Sequence, residues 1–281
     1  MSRPAGPHLD RLVDIMRILR SPEGCPWDRE QTLATLRPFV LEETCELLDA
    51  LDEGDWQGIC EELGDVVFEA VFIAQLCSEP GHFSLADALQ AVIDKLIRRH
   101  PHVFTPDGEP LSTARAITAT GVKAQWDDIK TAERAQAGKP QKPLLGGIPR
   151  ALPALLRAEK VGTRAASVGF DWPEAAPVLD KIDEEVAELR EAVAQHGLQS
   201  AEVENEYGDV LFALTNLGRK MGLSPERALQ RATDKFQRRF EQMEAAARAD
   251  GHALTDESLE ALEARWEAAK AATAAENRPR A

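Results

Sequence analysis

The sequence predicts an all-α protein, built as two tandem copies of one four-to-five-helix domain. Three observations carry that prediction. Ala, Leu, Glu, Arg and Gln dominate, with a single Tyr and no Asn-Gly hairpin signal, so helix formers prevail and strand signals are almost absent. Pro and Gly fall at helix-length intervals along the chain. Four sequence blocks recur in the same order at a nearly constant offset.

Taken in order, residues 9–20, 38–53, 57–77, 84–100 and 122–137 read as helices. Pro22 and Pro26 separate the first from the second, and Gly54 the second from the third. Glu79-Pro80-Gly81-His82 ends the third, and Pro101 ends the fourth. The stretch 138–152, rich in Pro and Gly, reads as a linker. Helices follow at 153–165, 174–195, 200–221, 225–249 and 255–275. The domains are expected at 1–137 and 153–272, with 273–281 as a frayed tail. The repeat pairs LEETCELLDAL (41–51) with DEEVAELREAV (183–193), and EELGDVVFEAV (61–71) with NEYGDVLFALT (205–215). It also pairs DKLIRRHPHVF (94–104) with DKFQRRFEQME (234–244), and Trp126 and Lys130 with Trp266 and Lys270.

Composition narrows the function. With 281 residues, 43% hydrophobic and 29% charged, the chain can bury two cores. A net charge of −15 argues against nucleic acid and against an anionic membrane surface as partners. It admits a small anionic substrate if a divalent cation bridges the two. The start, MSRPAGPHLD, has no apolar run, so no secretory signal is expected, and VVFEAVFIAQLC (66–77) is too short to span a bilayer. Cys25, Cys45, Cys60 and Cys77 form no C-x-x-C pair. They read as reduced cysteines packed as small hydrophobes in a cytoplasmic protein.

The chemistry lies in the carboxylates. Each copy carries E-E-x-x-E on one helix and E-x-x-D on the next: Glu42, Glu43, Glu46, Glu62 and Asp65, then Glu184, Glu185, Glu188, Glu206 and Asp209. Residues three or four apart share a helix face, and a short loop makes the two helices antiparallel, so four acids converge. The helices bearing Asp65 and Asp209 are apolar nearly all round and are expected to be buried. Buried carboxylates in a group need protons or metal, and hard oxygen donors suit Mg²⁺ or Mn²⁺, which also take substrate phosphate oxygens.

E-E-x-x-E, a spacer of 15 or 17 residues and E-x-x-D together resemble the all-α nucleoside triphosphate pyrophosphohydrolases. With GCPWDREQT (24–32), RRHPHVF (98–104), VGFDW (168–172) and the duplication, the chain is similar to the MazG family over most of residues 9–270. The resemblance implies Mg²⁺-dependent hydrolysis of NTPs and dNTPs to monophosphate and pyrophosphate by a homodimer. It places metal ligands on Glu185, Glu188, Glu206 and Asp209, and on Glu43, Glu46, Glu62 and Asp65. A helical bundle with buried polar sites also tends to complete its core across a two-fold partner.

A triphosphate needs further cations. Lys235 and Arg239 share a helix face, mirrored by Lys95 and Arg99, and Arg238 and Arg98 add a second arginine to each. Lys181 lies four residues before Glu185 and could reach a phosphate oxygen, whereas its counterpart in copy one is Phe39. Trp266 and Trp126 could stack on a base or pack in the core. Lys270 and Lys130 could touch phosphate or ribose, or lie solvated. His100 and His102 read as structural, and Trp27, Trp56 and Trp172 as core anchors. Glu69 follows Asp65 by one turn, but copy two has Ala213 there, so the repeated design does not require it.

The expected mechanism is water attack on the α-phosphorus with pyrophosphate leaving. Glu184 or its counterpart Glu42 is a candidate general base or second-metal ligand. Lys181 favours copy two as the hydrolase. Rival readings are a narrower dUTP- or dCTP-type pyrophosphatase, a non-catalytic helical dimer scaffold and, against the net charge, a DNA-binding protein.

Overall fold

The computed structural model describes residues 4–113, 117–136, 138 and 143–276. Parts of the expected linker (139–142) and tail (277–281) lie outside the described residues. The chain divides into two compact units, Met1–Lys139 and Pro140–Ala281. The first contains α1 (Gly6–Leu19), α2 (Pro26–Glu30), α3 (Leu36–Glu53), α4 (Trp56–Ser78), α5 (Leu85–Arg99) and α6 (Ala119–Gln136). The second contains α7 (Ala154–Ala166), α8 (Ala176–His196), α9 (Ala201–Lys220), α10 (Pro225–Ala249), a 3-10 turn at Leu254–Asp256 and α11 (Leu259–Glu276). No strand forms among the described residues, only an isolated bridge between Phe104 and Pro110.

The helix ends follow from local chemistry. Gly54 closes α3 with φ 72°, a left-handed conformation that only glycine adopts without penalty. Asp55 then opens α4, its carboxylate accepting from the Gln57 N–H at 3.0 Å. Two residues therefore turn the chain back, and α3 and α4 pack as an antiparallel pair. In the second unit Ser200 caps α9 through the Val203 N–H at 3.2 Å, and α8 and α9 form the equivalent pair. Ser84 and Asp87 form a reciprocal capping box at the start of α5.

In the first unit Met16, Leu36, Val71 and Phe72 form the core, with Leu12, Val13, Phe39 and Phe68 packed around them. Complete burial of Phe72 stabilises by about 2–3 kcal/mol. In the second unit α9 is central, touching α7, α8 and α10. Gly162 allows α7 to lie this close: a Cβ there would sit 2.5 Å from the buried Asn216 Oδ1.

Several expectations need correction. Among the described residues the one-turn α2 gives the first unit six α-helices rather than four or five. α11 continues to Glu276, past the point where the tail was expected to begin. The carboxylate-bearing helices are not buried all round. Leu63 (52% exposed), Val67, Tyr207 (57%), Leu211 and Phe212 face out of the single chain, and Asp65 and Asp209 are exposed. Trp56 stands at the tip of the α3–α4 hairpin and is 83% exposed, and Trp27 is also exposed. Cys77 is buried, but Cys45 and Cys60 are exposed on the α3–α4 pair; all four thiols are free. Among the described residues no helix is long and apolar enough to cross a membrane.

Candidate active site

The two hairpins place acids on facing helices. In the first unit carboxylate oxygens of Glu43 on α3 and of Glu62 and Asp65 on α4 all lie within 4.8 Å of one another. Glu46, an exposed neighbour on α3, lies within hydrogen-bonding reach of Glu62. In the second unit the three that converge within that distance are Glu185 and Glu188 on α8 and Glu206 on α9. Asp209, one turn further along α9, is exposed and stands outside this triplet. Each expected quartet thus appears as a close trio with a fourth acid beside it. Three hard oxygen donors so close together fit Mg²⁺ or Mn²⁺, and like charges at that distance repel strongly without a cation.

Desolvation and like charge act on these acids together. Burial, then the neighbouring charges of Asp65, Glu46 and Glu62, push the Glu43 carboxyl above its usual range. Glu62 is raised by desolvation and then by Glu46 and Asp65. Glu188 is raised mainly by desolvation, against the opposing field of Lys181.

The copies differ in how this charge is met. The Lys181 ammonium lies 2.7 Å from Glu184 Oε1 and 2.9 Å from Glu185 Oε1, and these two acids hold it above the ordinary lysine range. Phe39, at the matching position in α3, instead packs on the core and edge-on to Trp27 at 5.8 Å. Glu69 on α4 is only 6% exposed, and its Oε2 has no hydrogen-bond partner. Burial, then Glu43 and Asp65, raise its carboxyl. Ala213 occupies that place in α9 and is buried.

The basic groups differ as well. In the first unit Arg99 Nη2 lies 2.8 Å and Arg98 Nη2 3.2 Å from the Glu133 carboxylate on α6, which both arginines hold below the usual range. In the second unit the position of Glu133 is Thr273 on α11, whose hydroxyl accepts from Arg239 Nε at 3.0 Å. No ion pair engages Lys235, Arg238 or Arg239 among the described residues. The Arg239 guanidinium lies 5.8 Å from the Trp266 ring centroid, and Trp266 packs on Phe236 at 4.9 Å. Lys270 pairs with Glu267 at 2.8 Å. Trp126, the counterpart of Trp266, meets His100 edge-on at 5.2 Å and is thereby engaged with the His100–His102 pair. Lys95 and Lys130 are half-buried on α5 and α6. Glu42 is exposed on α3 and outside the close trio.

Two groups escaped the sequence reading, Glu133 and a clamp around Asp171, and Glu69, which that reading set aside, is buried beside the first cluster. Asp171, in the VGFDW segment, is paired with Arg219 (3.0 Å from Nη1) and Lys220, and these cations hold its carboxyl far below the usual range. The clamp borders a cavity of about 560 Å³ lined by Phe170, Trp172, Phe212 and Asn216 among others.

Comparison with known proteins follows this duplication. The model of the MazG nucleotide pyrophosphohydrolase domain matches twice, at residues 31–104 and 176–243. A nucleoside triphosphate pyrophosphohydrolase of Escherichia coli K12 is 47% identical over 263 residues, covering 93% of this chain and 97% of that protein. A nucleoside triphosphate pyrophosphohydrolase/pyrophosphatase MazG of Thermotoga maritima is 42% identical over 268 residues, covering 95% and 98%. The crystal structure of a mazG-related protein from the same organism aligns with a TM-score of 0.36 at 27% identity, over 43% of this chain and 98% of its own.

Proposed function

Because this chain belongs to the MazG nucleotide pyrophosphohydrolase family, we propose that it hydrolyses nucleoside triphosphates, ribo- and deoxyribo-, to the monophosphate and pyrophosphate, a housecleaning reaction of the nucleotide pool. The carrying observation is the carboxylate trio at Glu185, Glu188 and Glu206, in the same unit as Lys235, Arg238 and Arg239, which no ion pair engages among the described residues. Asp209 completes the proposed ligand set in this copy. In the other, the set is Glu43, Glu46, Glu62 and Asp65.

Glu185, Glu188, Glu206 and Asp209 would hold Mg²⁺ or Mn²⁺, which when bound would supply polarisation of the phosphate oxygens and a lowered pKa for water. The chain's own residues do the rest. Glu184 is exposed, with one oxygen 2.7 Å from the Lys181 ammonium, and is the proposed acceptor of the attacking water's proton. That water adds to the α-phosphorus as the bond to the bridging oxygen breaks, and pyrophosphate leaves. Lys181, Lys235 and Arg239, with Arg238 beside them, hold the negative charge of the phosphates. Trp266 offers a face to the base, and Lys270 stands one turn away on α11. The C-terminal copy is the proposed hydrolase: it has Lys181 in place of Phe39, and Thr273 in place of the Glu133 that occupies Arg98 and Arg99.

The chain is proposed to work as a homodimer. The outward-facing Leu63, Val67, Tyr207, Leu211 and Phe212 lie on the same hairpins as the acids, and a two-fold partner would cover them. Four unpaired cysteines fit the reducing cytoplasm.

Phosphorus NMR on a panel of NTPs and dNTPs with Mg²⁺ tests the reading. Monophosphate and pyrophosphate are expected. Inorganic phosphate with diphosphate would place the cut at the γ-phosphorus and overturn the mechanism. Light scattering is expected to give twice the mass of the chain.

A further inference from the structure

We infer that the N-terminal copy is a standing divalent-cation site, loaded without nucleotide and using Glu69 as an additional ligand, whereas the C-terminal copy takes its cation only together with a triphosphate. The inference rests on reading both carboxylate clusters as cation sites.

The first cluster has an excess of negative charge and, among the described residues, no ion pair to offset it. Glu43, Glu62 and Asp65 lie within 4.8 Å of one another, with Glu46 beside Glu62. Glu69 extends the row by one turn of α4. It is 6% exposed, its Oε2 has no partner, and the charges that act on it are those of Glu43 and Asp65. Among the described residues no ion pair engages Glu43, Glu62 or Glu69. Phe39 stands where a lysine would, and Arg98 and Arg99 are engaged by Glu133. A buried carboxylate with an unused oxygen is unfavourable in itself, and a chain that retains one beside three other acids gains when a hard cation takes that oxygen.

The second cluster is already neutralised in part. Lys181 bridges Glu184 and Glu185, and the place of Glu69 is held by Ala213, which offers no ligand. A cation arriving alone must displace an ammonium from two acids and finds one carboxylate fewer. Cation affinity at oxygen sites follows ligand charge and number, so both differences act in the same direction. A triphosphate changes the balance, because it brings oxygen ligands of its own and gives Lys181 an anion to turn to.

The test is Mn²⁺ binding to the full-length chain, read by the electron paramagnetic resonance of free Mn²⁺ and repeated with a non-hydrolysable α,β-methylene triphosphate. Without nucleotide, one tight class of about one Mn²⁺ per chain is expected. Glu69→Gln should weaken it at least tenfold, as should Glu69→Ala, which installs the residue of the other copy. Glu188→Gln should leave it unchanged. The analogue should add a second class that Glu188→Gln removes, and Lys181→Met should create that second class without nucleotide. Circular dichroism melts establish that each variant is folded. Two equal classes in the nucleotide-free wild type, or a single class lost in Glu188→Gln and kept in both Glu69 variants, would overturn the assignment while leaving the clusters as cation sites. No Mn²⁺ uptake with or without the analogue would overturn the reading of the clusters themselves.

Discussion

Exchanging Glu133 and Thr273 should exchange the triphosphate affinities of the two copies. Glu133 holds Arg98 and Arg99 through contacts of 3.2 and 2.8 Å, with the carboxylate about a quarter exposed. A phosphate reaching those arginines must first displace it. Fully exposed pairs contribute about 0–1 kcal/mol, and charge-assisted pairs are roughly twice as strong as neutral ones. After discounting for solvent screening, the clamp is worth about 1–2 kcal/mol. That is roughly a 5- to 30-fold difference in Kd. Glu133→Thr, in a chain whose C-terminal cluster is disabled by Glu206→Gln, should therefore bind a fluorescent triphosphate about tenfold more tightly. The gain should vanish when Arg99→Ala is added. Thr273→Glu in the otherwise intact chain should raise the KM for triphosphate by a similar factor, because the new acid sits beside Arg239. Unchanged affinity in Glu133→Thr, or an equal gain in the presence of Arg99→Ala, would refute the clamp.

Glu206→Gln and Asp209→Asn should each lower pyrophosphate release by about 100-fold or more, with Asp65→Asn closer to wild type; the reverse ranking would assign hydrolysis to the first copy. Asp171→Ala should destabilise the second unit by about 2–3 kcal/mol in calorimetry, since Arg219 and Lys220 are left part-buried and unpaired. Its folded carboxyl lies below the unfolded value. The clamp is thus complete above the ordinary carboxylate range, begins to fail as pH falls below about 4, and is lost only as pH passes the folded value. An Asp171→Asn melt that keeps the wild-type acid limb would contradict this. Phe72→Ala should cost about 3–5 kcal/mol in the first unit and leave the transition of the second in place, as two resolved heat-absorption peaks would show.

The helices were legible because their breakers were. Gly54 and Pro101 end helices within a residue or two of where the sequence puts them. α3 starts at Leu36, two residues earlier than expected, and Pro38 is tolerated there because a proline in the first turn forfeits no helical hydrogen bond. α2 is one turn long and leaves no periodic signal. Spacing also located the trios, but the comparison of copies that exposed them set Glu69 aside and passed over Glu133, because their counterparts are Ala213 and Thr273. A repeat displays what two copies share. Which residues distinguish them depends on burial and on partners distant in sequence, as Arg99 and Glu133 are. Trp56 fails in the other direction: its size suggests a core anchor, and only the hairpin geometry shows it stands clear.

The two-residue turn at Gly54-Asp55 and the short one before Ser200 also bear on folding. Similar hairpins give each helix two competent partners, so α3 could pair with α9 and α4 with α8 in a crossed assembly. The turns decide between these outcomes by chain entropy. A crossed pair would have to close roughly 150 residues where the native pair closes a handful, a disadvantage of about 3 kcal/mol before any side chain has met its neighbour. Each hairpin therefore forms first from its own strand of sequence, and the likeness between the copies does not become a route to misassembly.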